Sequence, residues 1–252
     1  MLNNKPSERE KEIVSLLAED AAVSVSRLSE QLGVSAVTIR SDLNSLARKG
    51  ILMRTRGGAF PAFHPDVIIR QGLKTLEKNR IAQAAAALIK DGDTVMIEAG
   101  TTISLIARYL LGKRDVRIVT NSTLILPFAR INPGIHLTVI GGEFRPATES
   151  TVGPLALAEL SHFHVRLAFM GTDGFSFETG LTTHLVEGAE IVRKMAERSG
   201  RRILLADSSK YGRKGFVKVL LVQDVDLLIS DIGLSRQARA ELQKAGLEVM
   251  LV

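Results

Sequence analysis

The 252 residues read as two domains, a small N-terminal α+β domain of the winged helix-turn-helix type and a larger α/β domain built on a mostly parallel sheet. Three observations predict this. Three short helical patterns, each with its own capping residues, lead into a strand and a Gly-Gly pair. Beyond residue 77, short apolar strands alternate with helical patterns, as in a parallel sheet covered on both faces. The residues just after those strands are glycines, hydroxyls and amides, where open α/β sheets receive ligands.

The first helix starts at a capping box, Ser7 with Glu10, continues through Ile13, Leu16 and Leu17, and should end near Ala21. A second begins around Ser26, carries Leu28 and Leu32 on one face, and stops at Gly33. Ser35 is a good N-cap for a third, whose buried stripe is Ile39, Leu43 and Leu46 and whose end is Gly50. Residues 51–54 then read as a strand, Gly57 and Gly58 as a hairpin turn, and Phe60 as the return.

With that stripe inward, the third helix turns Ala36, Val37, Thr38, Arg40, Ser41 and Asn44 outward, with Ser35 at its start. Short side chains near a recognition helix's start permit close approach to base edges, and Arg40 can reach a guanine or a phosphate. Charge distribution agrees. Residues 1–39 carry four basic and six acidic side chains, whereas residues 40–56 carry Arg40, Arg48, Lys49, Arg54 and Arg56 against Asp42 alone. Arg54 and Arg56 would lie on the wing, against phosphates or in the minor groove. The expected partner is a double-stranded DNA operator, contacted by Ser35, Ala36, Val37, Thr38, Arg40, Ser41, Asn44, Arg54 and Arg56.

Residues 61–75 contain Pro61, Pro65 and Gly72 without a sustained period and read as a linker, which places the domains at 1–60 and 76–252. In the second domain Ile81, Ala85, Leu88 and Ile89 mark a helix and residues 94–97 a buried strand. Then follow a helix over 102–112, a strand at 116–119, a helix over 123–131 and a strand at 135–140. Later strands are expected at 167–170, 203–206, 220–221 and 227–230, with a last helix over 235–245 leading to a strand at 248–252.

Five strand ends are polar: residues 98–102, 120–122, 141–142, 171–174 and 207–210. Glycine lets backbone approach a ligand, threonine and serine donate hydroxyls, helix N-termini favour an anion, and Lys210 adds a point charge suited to phosphate. The ligand expected from Gly100, Thr101, Thr102, Ser122, Gly141 and Lys210 is a small anion bearing hydroxyls. Glu98, Asn121, Gly142, Asp173, Glu187 and Asp207 could meet sugar hydroxyls.

Composition excludes several classes. Hydrophobic residues at 45% and charged ones at 24% exclude a disordered chain. The absence of cysteine excludes disulfides and thiolate metal sites. His162 and His164 sit two apart, as two ligands on a strand would, but nothing nearby completes a set, so no metal is expected. No apolar run reaches the roughly 18 residues of a spanning helix, and the first residues lack a signal-peptide core. The expectation is a cytoplasmic protein without a membrane partner.

At these residues the sequence resembles the DeoR family of bacterial transcriptional regulators over almost its whole length. The resemblance rests on Gly33-Val34-Ser35, on residues 38–43 and 54–59, and then on Ala99-Gly100-Thr101-Thr102, Thr120-Asn121-Ser122, Gly141-Gly142, residues 171–174, Leu181-Thr182-Thr183 and Asp207-Ser208-Ser209-Lys210. It departs from the family at Glu98, where aspartate is usual, at Arg166, where an acid is common, and at Val192, where a base is common. The resemblance implies a sensor domain similar to ribose-5-phosphate isomerases and CoA transferases. It adds Thr182 to the effector site and requires no cofactor. It also implies a repressor of a carbohydrate-catabolism operon, relieved by a phosphorylated sugar, and not an enzyme. The alternative is a sugar-phosphate isomerase with a carboxylate base and Lys210 stabilising an enediolate, although an isomerase has no need of a basic helix-turn-helix. A homo-oligomer, dimer or tetramer, is expected, because one winged helix covers few base pairs.

Overall fold

The structure is a computed structural model that describes residues 7–20, 23–55 and 58–252. The chain divides into two compact units, Met1–Leu73 with Pro146–Thr148, and Lys74–Arg145 with Glu149–Val252.

In the first unit, α1 (Glu8–Glu19) opens with the expected capping box. Helix α2 (Val25–Leu32) is capped by Ser24 and ends at Gly33, which takes φ +64. Helix α3 (Ala36–Arg48) is capped by Ser35, whose side chain accepts the Thr38 N–H at 3.1 Å. Strands β1 (Leu52–Thr55) and β2 (Gly58–Pro61) pair antiparallel, Thr55 opposite Gly58. Gly58 therefore belongs to the returning strand rather than to the turn. Ala21, Arg56 and Gly57 lie outside the described residues. Ile13, Leu17, Leu28, Ile39, Leu43, Leu46, Leu52 and Ala59 close one core. The segment expected to be a linker contains a further helix, α4 (Pro65–Gly72), which sends Ile68 into that core. Its proline stands in the first turn, where no intrahelical N–H is needed, so it starts the helix instead of breaking it.

The second unit begins with α5 (Thr75–Ala87) and is built on seven strands: β3 (Thr94–Ile97), β4 (Val116–Thr120), β5 (Ile135–Val139), β8 (Val165–Met170), β11 (Ser199–Leu205), β13 (Leu227–Ser230) and β14 (Glu248–Leu251). Their order is β14-β13-β11-β8-β3-β4-β5, and every pairing is parallel. Strands β3, β8 and β13 are largely apolar on both faces, as a covered parallel sheet demands, whereas the edge strand β5 exposes His136 and Thr138. Along β8, Leu167 and Phe169 enter one core while Ala168 and Met170 enter the other. Helix α5 and a 3₁₀ helix at Ile103–Leu110 cover the first face. Helices α7 (Pro154–Leu160), α8 (Val186–Glu197) and α9 (Arg236–Lys244) cover the second.

Sequence patterns provide no expectation for α7, α8, the hairpin of β6 (Glu143–Arg145) and β7 (Ser150–Val152), or strands β9 (Gly174–Ser176) and β10 (Gly180–Thr183); the strand expected at 220–221 is β12 (Val217–Leu220), which lies earlier and joins β10 and β9 in a separate antiparallel sheet. The helix expected over 102–112 is a 3₁₀ helix, and that expected over 123–131 shortens to α6 (Leu126–Ala129). Strand order reverses between β3 and β8: β4 and β5 lie to one side, β11, β13 and β14 to the other. The crevice at the carboxyl ends of β3 and β8 is therefore the topological switch point.

Candidate functional site

Helix α3 shows an outer face of Val37, Arg40, Ser41 and Asn44, all exposed, with Val37 at 72%. Thr38 is half-buried and shares a hydrogen bond of 2.9 Å with the Ser35 hydroxyl. Ala36 leans on the core instead of facing outward, because it starts the helix over the buried stripe. On the wing Arg54 is exposed.

Two charges counted in the 40–56 segment are spent within the unit. Lys49 places its ammonium 2.9 and 2.8 Å from the two Glu10 oxygens in a buried pair. Burial pushes the Glu10 carboxyl up, but Lys49, the Ser45 hydroxyl and the Ser7 N–H outweigh it and hold the group below the usual range. Asp42 is gripped by the Arg9 guanidinium at 2.6 and 3.1 Å. With Lys49 turned inward and Asp42 neutralised, the cations of the segment that face solvent, among the described residues, are Arg40, Arg48 and Arg54.

In the sensor unit the switch point is bridged by Glu98. Its carboxylate accepts the Gly171 N–H at 3.0 Å, and its own N–H donates to Phe169 O at 3.0 Å. A Cβ on Gly171 would lie 2.7 Å from the end of the Ile103 side chain and 3.2 Å from the Glu98 carboxylate, so any larger residue would have to displace both. The next residues, 100–102, open the 3₁₀ helix. Lys78 of α5, buried, points its ammonium at the Thr101 hydroxyl, 3.2 Å away. The amine beside this loop is thus that of Lys78, and Lys210 stands on a separate loop, half-buried. The sequence carries a signal for Lys78: it falls on the apolar stripe of α5 with Ile81, Ala82, Ala85, Ala86 and Ile89. A lysine in such a stripe is a charge kept where a leucine would be cheaper.

Several expected ligand residues form the frame of the crevice. Asn121 is buried; its side-chain oxygen accepts the Ala99 N–H at 2.9 Å and its amide donates to Thr151 O at 3.2 Å. It holds the 98–102 loop from behind. Ser122 is fully buried beside it. Thr182 is buried, donating to Gly174 O and accepting the Gly215 N–H. Gly142 takes φ +129, and a Cβ there would meet Val152 O at 2.6 Å, so the turn itself demands glycine. Gly141 donates its N–H to Glu159 at 2.7 Å. Asp173 accepts the Thr183 hydroxyl at 2.8 Å and the His184 N–H at 3.0 Å. Glu187 pairs with Arg145 of β6 at 2.8 Å, which holds its carboxyl low. Asp207 is buried and caps the 207–210 loop.

The other two departures lie away from the crevice. Arg166 opens β8 at the amino end of the sheet, gripping Asp93 with its Nε at 2.7 Å. Val192 is core on α8. Glu98 alone of the three stands at the switch point.

A cationic recognition helix with a wing, joined in one chain to a parallel sheet whose switch-point crevice is lined by a buried ammonium, hydroxyls and backbone N–H groups, defines a ligand-sensing transcriptional regulator. Comparison with known proteins agrees. The family model described as the DeoR-like helix-turn-helix domain matches residues 9–61, and that described as the DeoR C terminal sensor domain matches residues 73–232. The chain belongs to the DeoR family. Among its relatives, an Escherichia coli protein named as an aga operon transcriptional repressor is 36% identical over 98% of this chain and 94% of its own. The HTH-type transcriptional regulator GlpR of Haloferax volcanii is 34% identical over 97% of each chain. A ribose 5-phosphate isomerase from Plasmodium falciparum also matches, at 20% identity and a TM-score of 0.39, over 55% of this chain and 54% of that one. Among the described residues no helix is long and apolar enough to cross a membrane, and no group of three or more histidines and carboxylates could hold a metal.

Proposed function

We propose that this protein represses a carbohydrate operon in the cytoplasm and is released from its operator by a phosphorylated sugar. The observation that carries the reading is the buried Lys78 ammonium 3.2 Å from the Thr101 hydroxyl, at a sheet's switch point. Lysine, threonine hydroxyls and the N–H groups that open a helix together make a phosphate site. Lys210 adds a second cation from the loop after β11, two strands along the sheet from β3. Glu98, which accepts from Gly171, stands where a sugar hydroxyl would meet a carboxylate. The name of the Escherichia coli relative supports repression. Two copies reading two half-sites would supply the specificity that one winged helix lacks.

The test is a thermal-shift screen of phosphorylated sugars with the unphosphorylated sugars as controls, followed by gel-shift release with any hit. Binding to the native state raises the midpoint. A protein stabilised by free sugars and not by their phosphates, or by neither, overturns the reading. An isomerised product from the same incubations would instead favour the enzyme.

A further inference from the structure

We propose that Asp231 is the positioning residue of the sensor: it holds the 207–210 loop, and through it the Lys210 ammonium, where an anionic effector is received. This rests on the reading of the sensor given above. Asp231 follows β13, the neighbour of β11, from which the 207–210 loop departs. It is buried, at 3% exposure. Its Oδ1 accepts the Ser208 N–H at 2.6 Å, and its Oδ2 accepts the Ser208 hydroxyl and the Gly233 N–H, each at 2.9 Å.

Gly233 makes this convergence possible, since a Cβ there would lie 2.6 Å from the Ser208 hydroxyl and 2.7 Å from Oδ2. Burial raises the Asp231 carboxyl, and the three donors more than reverse it, so the group is ionised at neutral pH. A buried anion is costly, and here the donors that offset the cost belong mainly to one loop.

Asp207 shapes that loop from within, accepting the Ser209 N–H and hydroxyl at 3.1 and 2.5 Å. Asp231 ties it to the next strand. A second anchor follows Lys210: the Tyr211 hydroxyl donates to Glu241 at 2.6 Å, and its ring meets Phe175 edge-on at 5.5 Å. Lys210 sits between the two anchors, so its backbone is fixed while its side chain remains half-buried. Charges that act by placement need this kind of support.

The test uses the full chain, inorganic phosphate and ribose 5-phosphate as probes, and calorimetric titration of wild type, Asp231→Asn, Lys210→Ala and the double variant. Asparagine keeps the shape but loses one acceptor oxygen and turns an NH2 group toward a donor. Asp231→Asn should raise Kd about tenfold, the usual scale for losing an orienting carboxylate, with operator affinity unchanged. The double variant should bind no more weakly than Lys210→Ala alone, because Asp231 acts through Lys210. Losses that add in the double variant, or an Asp231→Asn protein that binds like wild type, overturn the inference while the sensor reading stands. A wild-type chain that binds neither probe overturns both. If Asp231→Asn does not fold, Ser208→Ala removes one arm of the same tether. It should raise Kd about threefold, and only when Lys210 is present; equal effects in both backgrounds overturn the inference.

Discussion

Single residues carry opposite loads in the two units, and Lys78 shows it best. A buried ammonium is destabilising relative to an apolar side chain of similar length. Lys78→Met keeps the side chain's length and apolar stem while removing its charge, and its thermal midpoint shows whether the variant folds. The variant should weaken the response to the phosphorylated effector by about 10- to 100-fold, the worth of a charge-assisted hydrogen bond. Calorimetry and gel-shift release check the two halves together, and a stable variant with unchanged response would remove Lys78 from the site. In the winged helix, Arg40→Ala or Arg54→Ala should weaken operator binding and lower the salt slope by about one for each phosphate left without its cation. Lys49→Ala should leave that slope unchanged, because its ammonium faces Glu10. It should instead cost about 2–3 kcal/mol of stability by leaving a buried carboxylate unpaired. The folded Glu10 carboxyl lies below its ordinary value of 4.5, so its stabilisation is complete above that pH and lost as pH falls through the folded value. Acid titration of stability should thus be steeper below about 4.5 in wild type than in Lys49→Ala. The sequence counts Lys49 in the basic segment because charge counts carry no direction; the Glu10 partner lies in another helix.

At the scale of elements, legibility follows whether the determinant is local. Ser7, Gly33 and Ser35 act within one turn of chain, and their caps appear where the sequence places them. Gly33 takes φ +64 with nothing within 4 Å of a would-be Cβ, so Gly33→Ala should cost about 1 kcal/mol, all of it backbone strain. A chemical-denaturation midpoint measures this, and a neutral variant would show that the turn between α2 and α3 relaxes. Helix α4 is hidden in the sequence because Pro65 reads as a breaker until the residues after it are known to be helical. Helix α8 is also absent from the sequence reading, although Ile191, Val192, Met195 and Ala196 lie on one face and are all buried. In the antiparallel sheet β9 and β10 form a local hairpin, Thr182 opposite Gly174, but β10 and β12 pair residues far apart in the chain, such as Thr182 with Lys218, and single-strand patterns do not encode that pairing. The same holds for the crevice. Which strand ends share it is set by sheet order, and the sequence alone places all five on equal terms.

For the whole molecule, regulation requires that operator and effector prefer different states of one chain. The two sites stand in different compact units, since Arg40 and Arg54 belong to the first and Lys78, Thr101 and Lys210 to the second. Neither ligand therefore acts by occupying the other's site, and the effect is a coupling free energy. Coupling is reciprocal: if a sugar phosphate weakens operator affinity by some factor, saturating operator DNA must weaken sugar-phosphate affinity by that factor. Allosteric couplings of this kind are commonly about 5- to 150-fold. The expected result is a matched pair of shifts, read by titrating operator with and without effector, and effector with and without operator, at one salt concentration. Lys210→Ala should lower effector affinity in both states, leaving operator affinity without effector as in wild type. Should operator affinity fall with effector while effector affinity ignores the operator, the two ligands are not linked through one equilibrium. Release would then have to come from a separate event, such as effector-driven dissociation of an oligomer, and sedimentation at the same concentrations would show it.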